Sequence, residues 1–215
     1  MAKARPKPRA AGGTVVINAD REYDATNPHT WLVLTGDPPG TCGLRIMYGV
    51  LRPQHRGHAN SAAAFARAKL SVGVGAEPWA VTAARAEVLL PDDADDRWAS
   101  PRALMEALDA ERPAHLPVLL TYVTITCPTA RLHAQYELVR AFAHHELARG
   151  LGVPVLLVQH APNRAASAND PHVHLLIGRR VTSLGLAEVA VPLGGDKGRD
   201  LVVQRFAAFR AGWPS

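Results

Sequence analysis

Apolar and polar positions along the chain follow two periods, one typical of helices and one typical of strands. Leu132, Tyr136, Val139 and Leu147 recur at helical spacing and predict the longest helix, over residues 129–149. Runs of β-branched and other apolar residues predict strands over 44–51, 117–126, 153–160 and 172–178. Strands and helices do not alternate strictly, so the order favours an α+β fold in which helices pack on a largely antiparallel β-sheet.

Local start and stop signals predict further elements. Asn60 or Ser61 is a candidate N-cap for a helix that ends near Leu70, and Ser100 followed by Pro101 begins another helix. The remaining expected elements are strands over 14–18, 30–34 and 181–191, and a C-terminal helix that begins at 197 or 200 and ends near 211.

The length of 215 residues predicts one main domain, over residues 14–215. Residues 1–13 are basic and rich in proline, glycine and alanine, and we expect a flexible leader there. The leader is either a solvated tail or an electrostatic arm on nucleic acid.

Charge and cysteine content narrow the choice of partner and compartment. A formal net charge of +5 and a pI near 9.6 favour a polyanionic partner. The two cysteines are too few for a disulfide framework, and neither a secretory signal nor an apolar run of membrane-spanning length is present. We therefore expect a cytoplasmic protein that does not contact a membrane.

The chain contains 10 histidines, and three of them form a pattern that predicts chemistry. His172 and His174 are two residues apart in a predicted strand, so their side chains point to the same face. His160 ends the preceding strand, and pairing of the two strands would bring it beside the other two. Three converging imidazoles form a divalent metal site with open coordination positions. The sequence therefore predicts a metal site at His160, His172 and His174, hereafter the three-histidine site.

Other enzyme classes fit the sequence less well. A histidine-triad nucleotide hydrolase would need a third alternating histidine, where this chain has Leu176. The mixture of helices and strands disfavours a cupin-type barrel. Neither a nucleophile elbow nor a phosphate-binding glycine loop is present.

The segment around the three-histidine site resembles a known family. His172-Val-His174 is directly preceded by Asn-Asp-Pro, Gly-Arg-Arg follows after three apolar residues, and His160 ends the upstream strand. This arrangement resembles the metal site of the HUH endonucleases and, among them, of the MobA/MobL mobilisation relaxases. The likeness covers residues 44–213, which leaves 14–43 as an N-terminal strand extension to a relaxase-like core.

The resemblance implies a metal-dependent DNA nicking and strand-transfer activity in plasmid mobilisation or conjugation. In that family a divalent metal polarises the scissile phosphate of single-stranded DNA, and a tyrosine on the first helix attacks it. The implied cofactor is Mn, Mg or Zn. The implied partners are single-stranded DNA and, beyond it, accessory mobilisation proteins and a helicase.

One position departs from the family pattern. Phe65 stands where the family has its nucleophilic tyrosine, and a phenyl ring has no hydroxyl with which to attack. Tyr48 and Tyr23 are the candidate replacements, while Tyr122 and Tyr136 are interpreted as structural. The absence of any tyrosine nucleophile, with water in its place, stays open as an alternative.

Four arginines are candidate DNA contacts. Arg179 and Arg180 directly follow the histidine strand, whereas Arg56 and Arg67 flank or lie on the first helix. Contacts of this type set affinity and its salt dependence rather than sequence choice. Two functions therefore remain: a relaxase-type enzyme, favoured by the complete set of three histidines, and a DNA-binding accessory protein with impaired catalysis, favoured by Phe65.

Overall fold

The computed structural model describes residues 14–38, 43–71, 77–128, 130–162, 169–187, 193–195 and 197–214. Within these residues, antiparallel pairing joins seven strands into one sheet in the order β1-β2-β3-β7-β9-β8-β6. The strands are β1 (Val15–Val16), β2 (Leu34–Gly36), β3 (Arg45–Leu51), β6 (Arg85–Leu89), β7 (Leu120–Thr126), β8 (Val155–His160) and β9 (His172–Ile177). Two small hairpins lie outside this sheet: β4 (Gln54–His55) with β5 (His58–Ala59), and β10 (Val181–Thr182) with β11 (Gly185–Leu186).

Helices cover both faces of the sheet, because the central strands are apolar on both sides. The helices are α1 (Ala62–Leu70), α2 (Pro101–Ala110), α3 (Leu132–Phe142) and α4 (Gly198–Ala211). Helices α3 and α4 pack with one apolar cluster of the sheet, and α1 and α2 pack with the other. The predicted fold class, helices packed on an antiparallel sheet, is confirmed.

Helix α1 is held firmly at its N-terminus. Ser61 caps it by accepting a hydrogen bond from the amide of Ala64, as one of the two candidate caps predicted. The carboxylate of Asp109 on α2 accepts hydrogen bonds from the amides of Ala62 and Ala63. A negative charge at a helix N-terminus is favourable, so α2 fixes the position of α1 on the sheet.

The long predicted helix is continuous but changes its hydrogen bonding. Helix α3 is followed by a π-helical segment, Ala143–Arg149, which ends at Gly150. The expected strand over 30–34 begins later than predicted, at Leu34. The reason is local: Asn27 caps a 3₁₀ turn over Pro28–Thr30.

Some expectations fall beyond the described residues. The leader over 1–13 lies outside them, as does the end of the strand predicted over 181–191. Among the helices that the structure describes, none is both long and apolar enough to cross a membrane.

Candidate metal centre

Strands β8 and β9 bring the three histidines together. His160 lies directly opposite His172 in the antiparallel register, and His174 follows two residues later on the same face. The ligand nitrogens of the three side chains all lie within 4.8 Å of one another. Nδ1 of His160 is 3.2 Å from Nε2 of His174. The predicted convergence of the three imidazoles is confirmed, and the group could hold a metal ion.

Each imidazole is oriented by an oxygen atom that contacts its other nitrogen. Nε2 of His160 donates to the main-chain oxygen of Lys69 at 2.6 Å, and Nδ1 of His172 donates to that of Asp170 at 2.7 Å. Nδ1 of His174 lies 2.9 Å from the hydroxyl of Tyr122 and 3.0 Å from that of Thr124. Metal-binding histidines characteristically use the second nitrogen in this way, which fixes the tautomer and the ring.

The remaining nitrogens suit a divalent transition metal. They are Nδ1 of His160 and Nε2 of His172 and His174. Two nitrogens bound to one tetrahedral zinc ion lie roughly 3.3 Å apart, close to the 3.2 Å that separates His160 from His174. Imidazole donors favour metals such as zinc, whereas magnesium prefers oxygen ligands. Three protein ligands leave coordination positions open, as in catalytic sites.

Burial keeps these histidines neutral at pH 7. Desolvation is the main cause that lowers the pKa of His160, to about 4, and it also lowers the pKa values of His172 and His174. Repulsion from Lys69 lowers all three further. Neutral imidazole is the form that binds a metal, so the unprotonated state is favoured before any ion arrives.

His29 also belongs to the site, as does Tyr122, which the sequence predicts to be structural. The Tyr122 hydroxyl lies 3.1 Å from Nε2 of His29 and links it to His174. Burial raises the pKa of Tyr122 and lowers that of His29 to about 3. Tyr122 is therefore a neutral hydrogen-bonding group that orients His174. Only the pairing of β7 with β9 could have revealed this role.

Lys69 is a further site residue, and it is not among the candidate DNA contacts predicted from the sequence. Its side chain is 3% exposed, and its Nζ lies 5.2 Å from the ring centroid of Phe65 and 4.9 Å from that of Tyr122. Burial lowers its pKa to about 7. The signal in the sequence is weak: Lys69 lies one helical turn after Phe65, so the two share a face of α1.

A cavity of about 540 Å³ opens over the three-histidine site. His29 and Lys69 line it together with the three histidines. Among the described residues that line the cavity, none is a tyrosine, an aspartate or a glutamate.

The structure does not bring the candidate tyrosines to this cavity. Tyr48 is buried with the α3 and α4 cluster on the opposite face of the sheet, and its hydroxyl donates to the main-chain oxygen of Leu193. Tyr23 stacks on His58 with ring centroids 3.8 Å apart. These positions argue against Tyr48 and Tyr23 as nucleophiles.

Phe65 is a core residue of α1. It is fully buried, and its ring contacts that of Tyr122 edge to face at 5.1 Å between centroids. Phe65 therefore packs beneath the site and offers it no hydroxyl.

None of the four candidate arginines is among the described residues that line the cavity. Arg179 is buried and lies two residues beyond the C-terminal end of β9, the end farther from His172. It donates to the main-chain oxygens of Glu111 and Ala187, an anchoring role. The others have local partners: Arg180 lies against Gly152, Arg67 over the Trp79 ring, and Arg56 donates to the oxygen of Ala19.

Comparisons with known proteins give little beyond this geometry. No family model matches the chain, and no curated protein matches it significantly. A chain from a solved structure described as "Molecular Basis of Vancomycin Resistance Transfer in Staphylococcus aureus" is similar over 62% of this chain and 74% of that chain. The two are 18% identical, with a TM-score of 0.49. This likeness assigns no function to the chain.

Proposed function

We propose that this protein is a metal-dependent, relaxase-type enzyme that cleaves phosphodiester bonds in single-stranded DNA. The observation that carries the proposal is the geometry of the three-histidine site. Three neutral imidazoles converge, and each is oriented through its other nitrogen by an oxygen atom. Such a site leaves positions open for a phosphate oxygen, and a bound metal would supply charge stabilisation to the reacting phosphate.

The resemblance of the histidine segment to MobA/MobL relaxases supports single-stranded DNA as the substrate and plasmid mobilisation as the process. The basic composition is consistent with a nucleic-acid partner. Accessory mobilisation proteins and a helicase are the further partners that this assignment implies.

The nucleophile is the part of the reaction on which this chain departs from the family. No tyrosine is found among the described residues that line the cavity, and Tyr122 has its hydroxyl engaged by two histidines. We therefore propose water as the nucleophile. A P–O bond to the water oxygen forms as the water gives up a proton, and the P–O bond to the leaving sugar oxygen breaks as that oxygen takes one up, so the net reaction is hydrolysis.

A second candidate is a protein of the same fold that binds single-stranded DNA without cutting it. The observation that favours it is the identity of Phe65, which is buried and has no hydroxyl. In this case the three-histidine site would hold a DNA phosphate through its metal, but no strand would be released.

One assay separates these functions. End-labelled single-stranded oligonucleotides of mixed sequence are incubated with the protein and Mn²⁺, Zn²⁺ or Mg²⁺. Products are resolved under denaturing conditions, which reveal both cleavage and any covalent protein–DNA adduct. Cleavage without an adduct supports hydrolysis, whereas an adduct would show a nucleophile on the protein.

Matched variants make the assay specific to the site. His174→Ala should abolish cleavage, whereas His133→Ala, which changes an exposed histidine on α3, should leave it intact. Metal-dependent binding of the oligonucleotides, with none of them cleaved, would favour the accessory protein. Equal cleavage by the His174→Ala variant would refute the proposed site.

A further inference from the structure

Lys69 is a buried basic residue without an acidic partner in the described part of the chain. Its side chain is 3% exposed, and none of the ion pairs formed by the described residues includes it. The carboxylate of Asp170, two residues before His172, is paired with Arg45. Burying a cation without a counter-charge is unfavourable, so the position is costly unless an anion occupies the cavity.

Two aromatic rings hold the Lys69 amine in place. Its Nζ lies 5.2 Å from the Phe65 centroid and 4.9 Å from the Tyr122 centroid, both within cation–π range. Phe65 offers no hydrogen-bond acceptor, and the Tyr122 hydroxyl is engaged by His29 and His174. The rings therefore position the amine, while its N–H groups remain available to a ligand in the cavity that Lys69 lines.

The same residue is tied to the three-histidine site through its backbone. The main-chain oxygen of Lys69 accepts a hydrogen bond from Nε2 of His160 at 2.6 Å. The last turn of α1 thus orients one candidate metal ligand and places an amine beside the same cavity. This connection fixes the backbone of Lys69 relative to His160.

The charge of the cavity selects an anion. The candidate ligands are neutral imidazoles, a bound metal would add positive charge, and no carboxylate occurs among the described lining residues. We propose that Lys69 binds a nonbridging oxygen of the substrate phosphate and forms, with the three-histidine site, a phosphoryl-binding subsite. The choice of a phosphodiester as the natural ligand rests on the proposed function, whereas phosphoryl binding itself does not.

Calorimetric titration of the metal-loaded, full-length protein with inorganic phosphate tests the subsite directly. A second arm uses a short single-stranded oligonucleotide, and a third uses acetate. Lys69→Met should weaken phosphate binding at least tenfold while metal affinity stays unchanged. Lys69→Arg should retain part of the phosphate affinity, and Arg102→Met, which removes an exposed charge from α2, should not change it.

Several results would overturn the subsite. One is equal phosphate affinity in wild type and Lys69→Met, and another is no phosphate binding by the metal-loaded wild type. Equal affinity for acetate and phosphate would contradict phosphoryl recognition. If Lys69→Met loses affinity for both metal and phosphate, Lys69 has a structural role instead. If the methionine variant does not fold, Lys69→Gln, which keeps a polar side chain, repeats the test.

Failure of the proposed function gives a different pattern. Phosphate binding that depends on Lys69, together with no cleavage of any oligonucleotide, would retain the subsite and reject the enzyme. Cleavage that persists in Lys69→Met, together with unchanged phosphate affinity, would retain the enzyme and reject the subsite.

Discussion

The hydroxyl oxygen of Tyr122 lies 2.9 Å from Nδ1 of His174. This contact joins the middle of β7 to the histidine strand β9 and leaves Nε2 of His174 facing His160. When Nε2 serves as a ligand, Nδ1 carries the proton, and the hydroxyls of Tyr122 and Thr124 are the groups that accept it. Tyr122 can then donate its own proton to His29.

Removal of these hydroxyls should weaken metal binding without removing a ligand. Tyr122→Phe leaves Thr124 as a partner, so we expect a loss of less than about 10-fold. Combined with Thr124→Val, the loss should reach about 10–100-fold, the range typical of groups that orient metal ligands. Competition with a chromophoric chelator measures both, and Tyr136→Phe, whose hydroxyl contacts Glu87 on the other face, is the control. Unchanged affinity in the double variant would contradict this role.

Acid should destabilise the metal-free protein. The pKa values of His29 and His160 are lowered to about 3 and about 4, chiefly by burial. Between pH 6.5 and about 4 the unfolded chain therefore binds protons that the folded chain does not, so the free energy of unfolding falls as pH falls. Each such histidine contributes up to about 1.4 kcal/mol per pH unit.

Urea unfolding in the presence of a chelator, at intervals from pH 7 to 4.5, measures this slope. His29→Gln should make it shallower, whereas the exposed His133→Ala should not. A slope that His29→Gln leaves unchanged would show that His29 is not held neutral by the fold.

Lys69 should make the protein less stable near neutral pH. Burial lowers its pKa from 10.5 to about 7, so between these values the unfolded chain holds a proton that the folded chain lacks. Stability therefore rises with pH through this window, and below pH 7 the cost of the buried charge is fully present. We expect Lys69→Met to be more stable than wild type at pH 7 by about 2–4 kcal/mol.

The difference in unfolding free energy between Lys69→Met and wild type should shrink towards pH 10. Chemical denaturation at pH 7, 8.5 and 10 without metal measures it, with Arg102→Met as the matched loss of one exposed charge. A Lys69→Met variant that is less stable than wild type at pH 7 would contradict the assignment of an unpaired buried charge. Stability lost to a functional group is common in binding sites.

Phe65→Tyr should not restore a tyrosine nucleophile. The side chain is fully buried and is absent from the described lining of the cavity, so the new hydroxyl would enter the core. An unsatisfied buried hydroxyl costs about 1–3 kcal/mol. We expect a drop of this size in unfolding free energy, similar to that of Phe142→Tyr on the other face, and no DNA adduct. A denaturation-resistant adduct in Phe65→Tyr would show that this position does reach the substrate.

The sequence predicted the part of the site that depends on local periodicity. His172 and His174 share a face because side chains alternate along a strand, and one antiparallel pairing adds His160. The same local rules predicted a cap at Asn60 or Ser61, of which Ser61 is the one observed, and the start of α2. These features depend on neighbouring residues, so a single sequence carries them.

The rest of the site comes from distant segments. His29 reaches it from a 3₁₀ turn, Lys69 from the end of α1 and Tyr122 from β7. No spacing rule links these positions, because the order of strands in the sheet and the packing of α1 bring them together. For the same reason Tyr48 was a candidate from sequence, although its strand presents it to the opposite face.

The metal content of the purified protein tests the three-histidine site most directly. Elemental analysis and Zn²⁺ or Mn²⁺ titration should give one ion per chain for wild type and for His133→Ala. Replacement of His160, His172 or His174 by alanine should each reduce affinity by at least about 100-fold while the fold is retained. Full metal occupancy in the His172→Ala and His174→Ala variants, or no metal binding by wild type, would contradict the three-histidine site.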